Sequence, residues 1–403
     1  MAAVGALAAS AHAAPLTFSE ALTLAAQSAP SLEARADDLK SAQSASRAAG
    51  QSPDPKLSLG MEGLPVTGAD AGRPFRDQFS DLRVGVSQDM PSLARRRAQR
   101  QRAQADIGAA ANGRDAESRS VRLQTAIAWI DLFYAERRLQ ALDDTTAVVT
   151  RQRDAAPAQL ASGTLRPAQS LDADRMTATL ADRRADLRAA VTRARATLAR
   201  WTGDPAPEPA GPSPTLTVDA TRLRDRIDAL PALTSFDAMA RQADADIALT
   251  VADKTPDWSW DLAYQHRAPR FGDMMMAQVT LALPLFAATR QDPVIDARRQ
   301  SANRVRADRA AARRDLLASL DADLADHDAH RDRLARARAV LTPLAQRRVD
   351  LETASYAAGN ASLADVLGAT LDLAEARLDN LDREATVARD EIRILFSYGT
   401  DDQ

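Results

Sequence analysis

The sequence predicts a mainly α protein with a small β part: long coiled-coil helices in a tandem repeat, together with four amphipathic strands. Three observations carry that class. Leu367, Leu371, Ala374, Leu378, Leu381, Ala385, Ala388, Ile392 and Leu395 recur at alternating spacings of four and three. This is the 3.5-residue period of a coiled-coil seam, sustained for about four heptads. The same landmarks also occur twice at one offset. Gly163 and Gly359, Leu171 and Leu367, and Gly203 and Gly399 are each 196 positions apart (163 to 359, 171 to 367, 203 to 399), the pattern of a duplication. Finally, two stretches leave the helical period for strict alternation, first around Leu57–Ser87 and again around Trp258–Leu283.

Composition agrees. Only 4% of the 403 residues are aromatic while Ala, Arg, Leu and Asp dominate, which favours long helices over packed globules. The net charge of −3 gives no case for a nucleic-acid partner. There is no Cys, so disulfides, thiolate metal sites and thiol catalysis are excluded. No apolar run reaches the roughly 18 residues of a membrane helix, so any span must be made of strands.

In chain order, residues 1–13 read as the remnant of a signal peptide ending at Ala11-His12-Ala13; the other reading is an Ala-rich tail. The first repeat, 14–204, opens with Thr17-Phe18-Ser19-Glu20, capping residues ahead of an acidic first turn. Pro30 divides a helix pair that ends near Ala49. A strand hairpin at 56–90 follows, with Leu57, Leu59, Met61, Leu82, Val84 and Val86 on one face and Ser58, Gly60, Glu62, Arg83 and Ser87 on the other. From Ser92 to about Leu160 nothing breaks the helix, a length of about 100 Å, and Thr164 to Trp201 returns antiparallel from a tip near 160–165.

Residues 205–215 carry Pro205, Pro207, Pro209, Pro212 and Pro214 and read as a stiff, extended linker. The second repeat, 216–400, has two short helices split at Pro231 and a strand hairpin at 257–286, with Trp258, Trp260, Leu262 and Tyr264 on its apolar face. A last long helix is expected from about Val294 to Ala358, with its tip near 356–363, where Gly359 supplies the positive φ of a helix C′ position. Four strands of nine or more residues match the length needed to cross a membrane, yet four cannot close a barrel and an open edge in lipid is forbidden. Several chains must therefore share one barrel. The competing reading, two solvent-facing hairpins on a soluble protein, leaves Trp258 and Trp260 unexplained.

This order resembles the TolC-type outer-membrane efflux proteins over essentially the whole chain. Its most specific stretch is Tyr356 to Thr370, which looks like that family's second tip and following helix. The segment Leu57 to Arg97, with Glu62-Gly63-Leu64-Pro65 and Val86-Ser87-Gln88-Asp89-Met90-Pro91, is similar to the heavy-metal-efflux branch. The resemblance implies a homotrimer in outer-membrane lipid: a twelve-stranded barrel above a periplasmic tunnel of helices. The tunnel would dock a periplasmic adaptor (membrane fusion) protein fed by an inner-membrane pump of the resistance-nodulation-division type. It implies Asp365 as a gate carboxylate at the constriction, and Leu160, Gly163, Tyr356, Ala357 and Gly359 as adaptor-docking tips. Where relatives often carry further charges beside the tip, this chain has Gly368 and Ala361.

The expected function is a passive exit duct of a tripartite efflux system, with metal ions as preferred cargo, no cofactor and no enzymatic activity. The alternative is a soluble periplasmic coiled-coil adaptor or scaffold, which has no use for four membrane-length strands. No nucleophile elbow, phosphate loop or paired-acid motif is present. One grouping has metal-ligand spacing, Asp323, His327 and His330, on one face of the last long helix. Asp and Arg surround it, so it reads by default as an exposed polar stripe. Met274-Met275-Met276 alternate across a strand and cannot all line one face.

Overall fold

The computed structural model describes residues 15–161 and 167–399. The signal remnant 1–13 and the turn of the first tip, with Gly163, lie outside the described residues. In order, the elements are α1 (Phe18–Ser28), α2 (Pro30–Ala48), β1 (Lys56–Glu62), β2 (Asp81–Met90), α3 (Leu93–Ala161), α4 (Pro167–Thr202), α5 (Ala220–Asp225) and α6 (Pro231–Ala252). Then come β3 (Trp258–Arg267), β4 (Met274–Leu281), α7 (Ala287–Arg336), a π turn (Ala337–Leu341), α8 (Thr342–Ala357) and α9 (Leu363–Tyr398).

Local chemistry sets several of these ends. Thr17 and Glu20 close a reciprocal box on α1: Thr17 N–H donates to Glu20 Oε2 at 2.8 Å, and Glu20 N–H to Thr17 Oγ1 at 3.3 Å. Ser362 and Asp365 do the same for α9. Asp219 caps α5 by accepting from the N–H groups of Thr221 and Arg222.

Two helical expectations need correcting. The last long helix starts at Ala287, before Pro293, because a proline in the second turn removes only one backbone bond. The helix is also not continuous to the tip. Its π turn, in which Thr342 N–H reaches back to Ala337 carbonyl, sits just before Pro343. Pro343 has no N–H to offer the carbonyl four residues back, and the wider turn takes up that mismatch. The edge strands are likewise shorter than the nine residues expected: β1 has 7 and β4 has 8. Gly63 turns the chain out of β1 with φ 69°, and the turn at 268–273 cuts β4 short of the far end of β3.

The structure falls into two compact units, each drawing on both halves of the chain. One comprises Met1–Ala34, Asp115–Leu230 and Arg313–Gln403; the other comprises Arg35–Arg114 and Pro231–Ala312. The first is helical and holds most of the apolar core. Trp129, Ile130, Leu132 and Phe133 of α3 pack with Leu198 of α4 and with Ala385, Ala388 and Ile392 of α9. Further along, Leu142, Val149, Ala156, Ala173 and Leu180 close on Leu363 and Leu367.

These contacts are made by the α9 seam read from sequence. A second line one residue away, Val366, Leu373, Val387 and Ile394, is buried as well, and Ile394 packs with Leu223, Ile227, Leu230 and Leu320. α9 is thus embraced on two sides. The proline-rich linker is docked rather than free: Leu16 pairs in parallel with Pro209, through Leu16 N–H to Glu208 carbonyl at 2.7 Å and Ala210 N–H to Leu16 carbonyl at 3.0 Å. Trp129 Nε1 donates to the same Leu16 carbonyl at 2.9 Å.

The second unit holds a single antiparallel sheet of order β1-β2-β3-β4, together with α2, α6 and the adjoining helical segments. β2 and β3 come from different halves of the chain and share the longest register, from Asp81 opposite Arg267 to Met90 opposite Trp258.

Candidate functional site: an amphipathic sheet and a helical tip

Register sorts the side chains of the sheet onto two faces. Opposite Leu57, Leu59 and Met61 of β1 stand Val86, Val84 and Leu82 of β2. Beyond them come Leu262, Tyr264 and His266 of β3, and then Ala277 and Met275 of β4. Trp258 and Trp260 face Leu281 and Val279 on the same side. The other face carries Ser58, Gly60, Arg83, Gly85, Ser87, Asp261, Ala263, Gln265, Gln278 and Thr280. Of the methionine run, Met275 joins the apolar face, whereas Met274 and Met276 lie on the polar one.

The polar face is organised by charge. Arg83 bridges Glu62 at 3.0 Å and Asp261 at 2.6 Å, linking β1, β2 and β3, and Lys56 pairs with Asp89 at 2.7 Å. No core covers the apolar face. Leu57 is 68% exposed, Leu59 70%, Val279 62% and Leu281 57%. In water that exposure is costly, at about 25 cal/mol per Å² of apolar surface. Among the described residues, the outer edges of β1 and β4 have no strand neighbour. A one-layer sheet with a bare apolar face, a charged face and two open edges has the pattern that a barrel wall in lipid requires. Among the described residues no helix is long and apolar enough to cross a membrane.

At the second tip, α8 ends in a Schellman motif: Asn360 N–H donates to Ser355 carbonyl at 2.9 Å and Gly359 N–H to Tyr356 carbonyl at 3.0 Å. Gly359 has φ 79°, the left-handed region that makes this reversal cheap for glycine. Ala357 and Gly359 are exposed. Tyr356 is half-buried and, with Leu160, packs against the cluster of Leu142, Val149 and Leu363. Both apolar tip residues therefore support the hairpins from within, and the exposed tip surface is made of small residues. Asp365 is exposed one turn beyond, where its carboxylate accepts from Ser362 N–H at 2.8 Å and Ser362 Oγ at 2.6 Å. Those bonds hold its pKa below the ordinary carboxylate range. Sequence reasoning missed this capping role, although Ser362 three residues before Asp365 was the signal.

Asp323, His327 and His330 do not form an exposed stripe. Asp323 accepts from Tyr398 Oη at 2.8 Å, His330 Nδ1 lies 2.6 Å from Asp390 Oδ2, and His327 is buried at 3% exposure. The partners of Asp323 and His330 sit on α9, far away in sequence, so the charges around them on α7 gave a misleading picture. Among the described residues no cluster of three or more His, Asp or Glu side chains is placed to hold a metal ion.

Comparison with known proteins adds the family. Residues 227–400 match the model of the outer membrane efflux protein family. No curated protein sequence matches the chain. Among solved structures the chain is similar to CusC, studied for its folding and transmembrane channel formation, at 16% identity and a TM-score of 0.78, covering 95% of this chain and 92% of that one. It is similar to the CmeC outer membrane channel of Campylobacter jejuni at 12% identity and 0.77, covering 95% and 85%. It is similar also to the outer membrane protein VceC of Vibrio cholerae at 18% and 0.73, covering 95% and 96%. The fold is thus that of TolC-type channels, long helical hairpins joined to a small antiparallel sheet. The second half of the chain matches the outer membrane efflux protein family, and nearly its whole length has the fold of these channels.

Proposed function

We propose that the protein is the exit duct of a tripartite efflux system, a homotrimer whose three sheets close one twelve-stranded barrel. The observation that carries this is the sheet itself. Its bare apolar face calls for lipid, and its open β1 and β4 edges call for strands of other copies. The helical hairpins then form the periplasmic tunnel, ending in small, exposed tip residues that leave room for an adaptor hairpin. The duct is passive and not an enzyme; an inner-membrane pump of the resistance-nodulation-division type supplies the energy. Asp365 is the proposed gate carboxylate, exposed at the start of α9. Metal ions are the proposed cargo, on the resemblance of residues 57–97 to the heavy-metal-efflux branch. The adaptor or scaffold alternative is disfavoured by the same bare sheet.

The test is the oligomeric state after detergent extraction from the outer membrane. Light scattering should give a trimer that resists heating in mild detergent. A folded monomer would rule out both the shared barrel and the duct. Deletion of the gene should then sensitise cells to the exported ion, which a panel of metals and drugs would identify.

A further inference from the structure

The two hairpin loops of the sheet, residues 63–80 and 268–273, lie at the strand ends away from the helices. They are tied to each other. The Arg270 guanidinium donates to the Arg76 carbonyl, Arg267 donates to the Gln78 carbonyl, and the Phe75 ring packs on His266 with centroids 5.8 Å apart. Since His266 shares a face with Leu262 and Tyr264, that last contact draws the long loop over the apolar side of the sheet. The loop base is pinched: a Cβ on Gly63, at φ 69°, would come within 2.1 Å of the Phe79 carbonyl oxygen.

The loops also sort their charges. Two of their three acids, Asp77 and Asp273, are satisfied internally, and the third, Asp70, is half-buried. Asp77 accepts from the N–H groups of Phe79 at 3.2 Å and Ser80 at 2.7 Å. Asp273 takes the Tyr264 hydroxyl, His266 Nδ1 at 2.9 Å and Arg267 N–H at 3.2 Å. The arginines face out. Arg73, Arg76 and Arg270 are exposed, and among the described residues neither these nor Arg267 form an ion pair with a carboxylate. Phe79 and Phe271 are exposed beside them, and Arg270 lies over the Phe271 ring at 4.6 Å.

We propose that Arg73, Arg76 and Arg270 bind the phosphate groups of the glycolipid in the outer leaflet, with Phe75, Phe79 and Phe271 at the boundary between its headgroups and acyl chains. The proposal rests on the barrel reading, which places these loops outside and the apolar face against lipid. Charge complementarity selects the occupant, because guanidinium groups without carboxylate partners match phosphate geometry in paired hydrogen bonds. The surface is also continuous with the lipid-facing side, and aromatic rings beside basic residues are what a membrane interface accommodates.

The experiment compares binding of bis-phosphorylated lipid A, of its dephosphorylated form and of inorganic phosphate to the full-length protein purified in detergent, followed by native mass spectrometry. Arg73 and Arg76 are replaced together, since neither guanidinium has a partner whose loss would perturb the fold. Each interfacial arginine is worth about fivefold in binding, so Arg73→Ser with Arg76→Ser should weaken the phosphorylated lipid roughly 25-fold. Arg73→Lys with Arg76→Lys should retain most of the binding. Equal binding of the dephosphorylated lipid, or an unaltered serine variant, would overturn the proposal, as would competition by inorganic phosphate at equal concentration. Fractionation separates the two readings. Wild type in the outer membrane with unselective lipid binding defeats the headgroup contact alone, whereas wild type outside the membrane defeats both.

Discussion

His330 Nδ1 and Asp390 Oδ2 stand 2.6 Å apart, joining α7 to α9 one helical stretch away from the Tyr398–Asp323 contact. Three residues earlier, His327 is buried with its Nδ1 lacking any hydrogen-bond partner. Burial lowers the His327 pKa, against the attraction of Asp390 and Asp328 and with the repulsion of Arg331 and His330. The folded protein therefore favours neutral His327, while the unfolded chain takes up a proton as pH falls through the ordinary histidine value of about 6.5. The stability from this group is present above that value and is lost as pH falls below it. Glu391, whose pKa is raised by burial, contributes with the opposite sign at lower pH. We expect the unfolding temperature to drop between pH 7.5 and 5.5, and His327→Gln to flatten that slope. An equally steep slope in the variant would assign the effect to other groups.

The tip glycine gives a second prediction. Gly359→Ala keeps every backbone donor and meets no neighbour within 4 Å, so its cost is the left-handed backbone alone, roughly 1–2 kcal/mol. Gly359→Pro also removes the N–H that Tyr356 carbonyl accepts. Proline at this site, or a charge at Ala357, should abolish export while leaving heat-resistant trimers in the outer membrane. Resistance measured in cells carrying each variant checks this, and full resistance in both would take docking away from this tip.

Asp365 gives a third. Three copies around one axis would repel one another and attract cations, opposing the downward shift that Ser362 imposes within each chain. Asp365→Asn should relieve cation block of conductance in planar bilayers. Since Ser362 can still cap α9 when its partner is neutral, tunnel assembly should persist. If block is unchanged, the constriction is built from other residues.

The two sheet faces can be distinguished by paired substitutions one residue apart. Val279→Arg puts a charge on the apolar face of β4 and should cost about 2–4 kcal/mol near mid-membrane, enough to reduce insertion. Gln278→Arg, on the polar face, should insert normally. Outer-membrane fractionation of both variants reads this out, and equal insertion would mean that the Val279 face does not meet lipid.

Much of this architecture is legible in the sequence because it is periodic. The alternation at Leu57–Met61 and Trp258–Tyr264 places each residue on the face where the sheet carries it, and the α9 seam from Leu367 to Ile392 packs as its heptads require. What the sequence hides is non-local. The second buried line of α9, through Val366, Leu373, Val387 and Ile394, skips a turn at Asn380 and is masked by the stronger seam beside it. His327 looks solvated because its own helix is charged, yet it is buried, and Asp390 of α9 acts on it from far away in sequence. The docking of Leu16 on Pro209 leaves no periodic trace, since it is made by backbone atoms common to every residue. At the site, Ser362 with Asp365 was readable as a cap, but the inward packing of Tyr356 depended on a cluster supplied by α3 and α4.

The pairing of β2 with β3 imposes an order of events on folding. Each hairpin can zip up locally, but the ten-residue ladder that joins them must wait until the second half of the chain has been made and exported. Closing such a distant contact is entropically slow, and until it forms each hairpin exposes two sticky edges beside an apolar face. The nascent protein is therefore most prone to aggregation in transit between membranes, where a holding chaperone that masks Leu57–Met61 and Met275–Leu281 would govern its yield.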